Sequence, residues 1–293
     1  MAVIAKITIN DNRFLTIEAM PQTLDLIDEF FTYEDMSLCF MGGSFRQENI
    51  VKKHFLVRKR EIKTSALLPI GFRDELEKWL RFQSAVYRFI DERKFSEFNI
   101  SLEEITNSLS YLTLHDYQAE AVKICLEKKC GIVKSPTGSG KTEMFISLCK
   151  ILNKKTLVLF ARIDLAHQTL RRMQKADLDA GIVQGNNIDE NHQIVMATVQ
   201  SAHKLTDKYE VVIVDEVHRA TAEQYQEILR SNTFIYRYGF SATPWTKDKY
   251  KNAKVKCWIG DEIYEVRPQT LIENERIAKP IIHIYPIDRP RGL

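Results

Sequence analysis

Ser135-Pro-Thr-Gly-Ser-Gly-Lys-Thr142 lies between a short apolar run, Gly131 to Val133, and a helical pattern that begins near Gly140. Glycines at 138 and 140 permit a tight turn whose backbone N–H groups converge on phosphate oxygens, and the opening helix adds partial positive charge at the same point. Lys141 is placed to reach β- and γ-phosphates and the Thr142 hydroxyl to meet Mg²⁺, while Pro136, Thr137, Gly138, Ser139 and Gly140 form the cradle. The strict pattern begins with Gly where this loop has Ser135, but the strand-loop-helix context is the one such a loop needs.

Outward from the loop the same grammar repeats. Apolar runs Thr156 to Phe160, Ile194 to Ala197, Val211 to Val214 and Phe234 to Gly239 alternate with helical patterns starting near Tyr117, Asp164 and Ala222. Strands alternating with helices predict βαβ units and an α/β fold, with a parallel sheet covered on both faces. One strand, Val211-Val-Ile-Val-Asp-Glu-Val-His218, ends in two carboxylates. The carboxyl end of a parallel strand faces the ligand crevice, so Asp215 is expected beside the phosphate loop. Phosphoryl transfer to water needs a held cation and an oriented water, which assigns Mg²⁺ to Asp215 and water activation to Glu216.

As a set, Ser135 to Thr142, Asp215-Glu-Val-His218 and Ser241-Ala-Thr243 resemble motifs I, II and III of superfamily 2 helicases, in the DExH branch. The resemblance implies a RecA-like P-loop domain using ATP and Mg²⁺, with Lys141, Asp215, Glu216 and His218 as the catalytic set. It also implies that Ser241 and Thr243 couple nucleotide state to strand grip. Leu114-His-Asp-Tyr-Gln118 resembles the Q-motif, where Gln118 would read the adenine edge; His115 stands where Arg is common. Leu157 to Gln168 resembles motif Ia, with Ala161-Arg162 replacing the common Pro-Thr, and Ala197-Thr-Val-Gln-Ser201 resembles a later strand-binding motif. Arg162, Gln168, Thr198 and Gln200 are the nucleic-acid contacts these imply. Leu67-Leu-Pro-Ile-Gly71, Tyr87-Arg-Phe-Ile-Asp91, Gly260-Asp-Glu-Ile-Tyr264, Leu271-Ile and Ala278-Lys-Pro280 are similar to segments of phage branch-migration helicases of the UvsW type. That likeness implies DNA, branched, forked or duplex, as the partner.

The first hundred residues follow another pattern. Ile4 to Ile9 and Phe14 to Glu18 alternate around Asn10-Asp11-Asn12, which predicts a hairpin; Leu24, Ile27, Phe30 and Phe31 predict a helix after Pro21, and Leu76, Trp79 and Leu80 a second from near Gly71. Arg46 to Lys63 holds seven basic and two acidic residues with Phe45 and Phe55 interleaved. It reads either as a phosphate-tracking ribbon, with Lys52, Lys53, Arg58 and Arg60 as contacts, or as a solvated hairpin face. A second basic run, Lys247 to Lys256, is equally open to a backbone contact or a solvated loop, and Trp245 and Tyr250 within it to base stacking or to sealing the core. The polar stretch Ser101 to Ser110 reads as a linker. The expected division is a small α+β accessory, nucleic-acid-binding domain over 1–108, a RecA-like domain over 109–265 and a linker over 266–293.

Composition sets the outer bounds. With 293 residues, 44% hydrophobic and 28% charged, the chain suits roughly two globular domains and excludes fibrous and low-complexity classes. Apolar runs are too short for a membrane helix, and the N-terminus lacks a secretory pattern, so the expected location is cytoplasmic, a host cytoplasm if the gene is a phage's. Five dispersed cysteines with no Cys-x-x-Cys pair disfavour a disulfide scaffold or zinc ribbon. A formal charge of +3 identifies no partner, so the argument rests on the local runs. Superfamily 2 enzymes draw arginine fingers from a second lobe with a Gln-x-x-Gly-Arg-x-x-Arg-like motif, which is not found here, so a fragment carrying the ATP-binding half is expected. The alternatives are a nucleotide-gated nucleic-acid switch, and the motor part of a restriction enzyme or an RNA helicase.

Overall fold

The alternation at the N-terminus folds as it reads. In the computed structural model, which describes residues 4–37, 40–41, 44–45, 49–59, 62–206 and 208–273, β1 (Ile4–Ile9) and β2 (Phe14–Ala19) pair antiparallel. Asp11 fixes their turn by accepting the Arg13 and Phe14 N–H groups at 2.7 and 3.0 Å. Then follow α1 (Pro21–Phe30), β3 (Thr32–Ser37), β4 (Phe40–Met41), β5 (Ser44–Phe45), β6 (Asn49–His54), β7 (Val57–Arg58), β8 (Ser65–Pro69), α2 (Arg73–Phe82) and β9 (Val86–Asp91). A five-stranded sheet runs β7-β8-β2-β1-β9, and its inward rows, among them Ala66–Ile17–Ile7, bury against α1 and α2. The second helix begins at Arg73 because Gly71 lies in a 3-10 turn against another backbone: a Cβ there would overlap the Lys256 carbonyl oxygen.

The second sheet is parallel throughout. After α3 (Leu102–Thr106) and α4 (Asp116–Lys128) come β10 (Cys130–Lys134), α5 (Lys141–Leu152), β11 (Thr156–Phe160), α6 (Ile163–Lys175), β12 (Ala180–Val183), β13 (Ile194–Thr198), α7 (Val199–Ala202), β14 (Val211–Asp215), α8 (Glu223–Ser231), β15 (Tyr236–Ser241), α9 (Lys249–Ile259), β16 (Glu262–Glu265) and α10 (Pro268–Glu273). The strand order is β12-β13-β11-β14-β15-β10-β16. One core cluster lies on the α4, α5 and α6 face; the other joins α8 and α9 to the N-terminal sheet without a break.

Three readings change. Ser101 to Ser110 contains α3, capped by Ser101 and Glu104 in a capping box and anchored by fully buried Ile105. Lys247 to Lys256 is mostly α9, which buries Ala253, Val255, Cys257, Trp258 and Ile259; Lys249 and Lys251 are exposed, while Lys254 and Lys256 are half-buried beside Glu223 and Glu75. Edge strands β12 and β16 went unread because neither offers a long apolar run.

The two sheets are joined through a buried cation. Arg237 on β15 is 1% exposed and donates to the carbonyls of Asn12, Leu229, Asn232, Phe234 and Trp258 at 2.9 to 3.5 Å. Leu229 and Asn232 close the end of α8 and Trp258 that of α9, so the guanidinium caps two helix C-termini, where the dipole favours a cation. Burial lowers its pKa to about 10, which leaves it charged at neutral pH.

Candidate nucleotide site and nucleic-acid face

The phosphate loop is braced from three sides. Gly138 and Gly140 take φ of 83° and 79°, the left-handed values a tight loop demands. The Ser139 hydroxyl bonds Ser135 and the Pro136 carbonyl, while the Ser139 carbonyl accepts Gln118 Nε2 at 2.9 Å and the Tyr117 hydroxyl at 3.0 Å. Gln118 Oε1 meanwhile accepts the His115 N–H at 2.9 Å. Both ends of the Gln118 amide thus hold the protein's own backbone and brace the loop, while one N–H and one oxygen lone pair remain for the adenine edge. Tyr117 shares that task, which no spacing in the sequence marks. Gly140 packs on the same amide: a Cβ would overlap Gln118 Nε2. Gly140→Ala is expected to displace the loop and abolish the thermal shift given by ATP and Mg²⁺; an unchanged shift sinks this.

Motifs I, II and III meet behind the loop. The Ser135 N–H donates to the Ser241 carbonyl at 2.9 Å, and Lys141 Nζ lies 3.3 Å from the Ser135 carbonyl and 3.8 Å from Glu216 Oε1. Ser241 Oγ donates to Glu216 Oε2 at 3.2 Å, lies 2.9 Å from His218 Nδ1 and accepts the Thr243 N–H at 3.2 Å. One hydroxyl proton serves one acceptor, so if it goes to Glu216, His218 must carry its proton on Nδ1. Glu216 turns the chain out of β14 with φ 52°, a left-handed value rare for a side chain of its size.

Asp215 fits a cation. It ends β14 next to Glu216 and has no ion-pair partner among the described residues. Burial, with the Glu216 charge second, pushes its carboxyl up to about 6 against the pull of Lys141 and the Glu216 backbone N–H. One carboxylate and a hydroxyl, with phosphate oxygens and waters completing the shell, make a donor set typical of Mg²⁺. The described residues hold no cluster of three or more His, Cys, Asp or Glu that could bind a metal without such help.

The nucleic-acid candidates fall in two places. Arg162 and Gln168, exposed, follow β11, while Thr198 ends the neighbouring β13 and exposed Gln200 follows it; Phe160 and Thr198 are direct partners across the sheet. Those four share the carboxyl end with the phosphate loop. Lys52 and Lys53 lie instead on β6, opposite Glu34 and Tyr33 of β3, and Arg58 is paired with Asp25 of α1. The basic excess read from sequence is partly offset by these acids. Arg46 and Arg60 lie outside the described residues.

Residues 111–246 match the family model for the res subunit of type III restriction enzymes. The DNA 3'-5' translocase XPB2 of Sulfurisphaera tokodaii is 34% identical over 204 residues, which cover 65% of this chain and 45% of that protein. The chain therefore spans less than half the length of this relative. Among solved structures, the UvsW helicase of bacteriophage T4 aligns with 90% of this chain and 100% of its own at a TM-score of 0.72 and 18% identity. A second T4 UvsW structure gives 0.69 at 17% identity, covering 90% of this chain and 57% of its own. In motif set and parallel sheet, residues 111–246 resemble the ATP-binding lobe of superfamily 2 helicases. In architecture the chain resembles UvsW in particular, small N-terminal sheet included.

Proposed function

We propose that the chain provides the nucleotide-binding part of an ATP-dependent DNA helicase or translocase acting on forked or branched DNA. The observation that carries this reading is the continuous set of contacts from Ser135 and Lys141 through Glu216 to Ser241, His218 and Thr243. In it Lys141 and the loop backbone hold phosphates, Thr142 and Asp215 hold Mg²⁺, and Glu216 orients the attacking water. Bound Mg²⁺ supplies charge neutralisation at the phosphates. Ser241 reports the state of Glu216 to Thr243 and the strand-facing loops. DNA as substrate is supported by the named activity of the archaeal relative, and forked or branched DNA is what the sequence segments similar to phage branch-migration helicases imply. Residues 1–108 act in this reading as the accessory nucleic-acid-binding part and 109–265 as the motor lobe. No helix among the described residues is long and apolar enough to cross a membrane.

The test combines binding and turnover. ATP with Mg²⁺ is expected to raise the melting temperature, and Glu216→Gln to keep that shift while lowering any DNA-stimulated turnover by about 100-fold or more. No Gln-x-x-Gly-Arg-x-x-Arg-like run occurs in the sequence, and an arginine finger of that kind is worth about 10³–10⁵ in rate. The 293-residue polypeptide alone should therefore turn over slowly; robust turnover contradicts this. That feature also favours a second reading, a nucleotide-gated grip on DNA without unwinding, in which nucleotide changes DNA affinity equally in the Glu216→Gln variant.

Charge reversal at Lys52 and Lys53 is expected to weaken DNA binding and lower its salt slope by about 2. Reversal of Arg58 should do less, because Asp25 already neutralises it. Affinities measured across a salt series on forked, four-way, duplex and single-stranded DNA check both claims and rank the substrates.

A further inference from the structure

Trp245 follows motif III by two residues and lines a cleft of about 390 Å³ that the sequence alone does not foreshadow. The cleft lies between the N-terminal unit and α9: Tyr33 of β3 and Glu75 of α2 form one wall, Lys249, Asn252 and Lys256 the other. Trp245 is half-buried, with its indole N–H held by Glu262 at 2.7 Å. That bond fixes the indole, so its position needs no ordering on binding.

The polar groups inside are already committed. Lys256 pairs with Glu75 at 3.3 Å and Asp261 at 2.8 Å, and the Asn252 side chain exchanges two bonds with the Thr246 backbone, each at 2.9 Å. The interior is therefore aromatic, its one lysine set against the Glu75 and Asp261 carboxylates, and poor in free groups that read a specific hydrogen-bonding edge. The rim differs. Lys249, in the lining, is exposed, and Lys247, two residues before it, is exposed too; neither has an ion-pair partner among the described residues. A planar, uncharged ring inside and a negative charge at the mouth describe a nucleotide unit of a single strand: the base meets the aromatic wall and its phosphate meets the lysines.

We propose that this cleft binds an unpaired nucleotide of single-stranded DNA, its base beside Trp245 and Tyr33 and its phosphate at Lys249. The cleft is built jointly by the N-terminal unit and the lobe, so that unit contributes directly to grip through Tyr33. A connection to the nucleotide site is in place: Thr243, two residues before Trp245, donates its N–H to Ser241 Oγ, which bonds Glu216. Because few free polar groups remain inside, binding is insensitive to base identity, and oligo-dT and oligo-dC bind alike.

This inference rests on the reading of the chain as a DNA-acting protein, and the experiment separates the two. Anisotropy of labelled oligo-dT is measured with the full chain and with Trp245→Leu, Trp245→Phe and Lys249→Glu. Trp245→Leu should weaken binding about tenfold, whereas Trp245→Phe, which keeps a ring, should recover most of it. Lys249→Glu, on an exposed side chain, should weaken binding and reduce the salt slope by about 1. Binding by the wild-type chain that none of these variants alters overturns the cleft proposal and leaves the DNA reading standing. Equal weakening by the Leu and Phe variants also overturns it, since stacking would then not be the cause. A wild-type chain that binds neither single-stranded nor forked DNA overturns both. If Trp245→Leu fails to fold, Lys249→Glu and Trp245→Phe still decide.

Discussion

Replacing Arg237 with methionine is expected to lower folding stability by about 3–5 kcal/mol, read as a fall in the urea midpoint at unchanged slope. The side chain carries no carboxylate partner, so the loss is not that of an ion pair. It is the loss of one donor group serving five carbonyls, three of them at the ends of α8 and α9, where no further helical N–H arrives. Methionine fills comparable volume and leaves those oxygens buried without a donor. Arg237→Lys, which keeps the charge but not the planar fork, should fall between. Because Asn12 of the β1–β2 turn is one of the five, the variant should also loosen the N-terminal sheet from the lobe, seen as faster amide exchange in β1 and β2. A methionine variant within about 0.5 kcal/mol of wild type would remove the cap from this account.

Asp215→Asn is expected to raise the stability of the metal-free protein at neutral pH while abolishing the further rise given by ATP and Mg²⁺. The sign follows from the carboxyl being held near 6 in the folded chain, against an ordinary value of 3.8. Below 3.8 both states hold the proton; between the two values only the folded state does, so stability falls as pH rises from about 3.8 and the loss is complete above about 6. At neutral pH the full penalty is felt, on the order of 3 kcal/mol, and asparagine escapes it. Magnesium relieves the same penalty in the wild type. Melting temperatures of both proteins from pH 5 to 8, with and without ATP and Mg²⁺, provide the check. Parallel pH profiles, or a retained ligand shift in the variant, would falsify the assignment of Asp215.

Much of the lobe is legible because its signals are local. Thr156–Phe160 and Val211–Asp215 are short apolar runs bounded by turn residues, and central parallel strands need little else. The glycines of the phosphate loop announce backbone angles that other residues resist. Gln118 shows where such reading stops. Its position is marked, yet the bonds by which its amide also braces Ser139 and His115 are not, and Tyr117 assists through a hydroxyl whose target lies 22 residues away. At Ser101 to Ser110 a polar stretch reads as a linker until Ile105 is seen to have a core beneath it.

The lysine runs mark the same divide. Charge counts the residues in Arg46 to Lys63 and Lys247 to Lys256, whereas only the fold sets Glu34 opposite Lys52, Asp25 on Arg58 and Glu75 with Asp261 on Lys256. By itself the sequence determined the parallel lobe, the phosphate loop and the carboxylates after β14, since each depends on neighbours along the chain. Tertiary structure decided the buried arginine that joins the two sheets, the brace on the loop and the cleft at Trp245. Each of these is made of groups distant in sequence, and their energies depend on burial and on partners that only packing brings within reach.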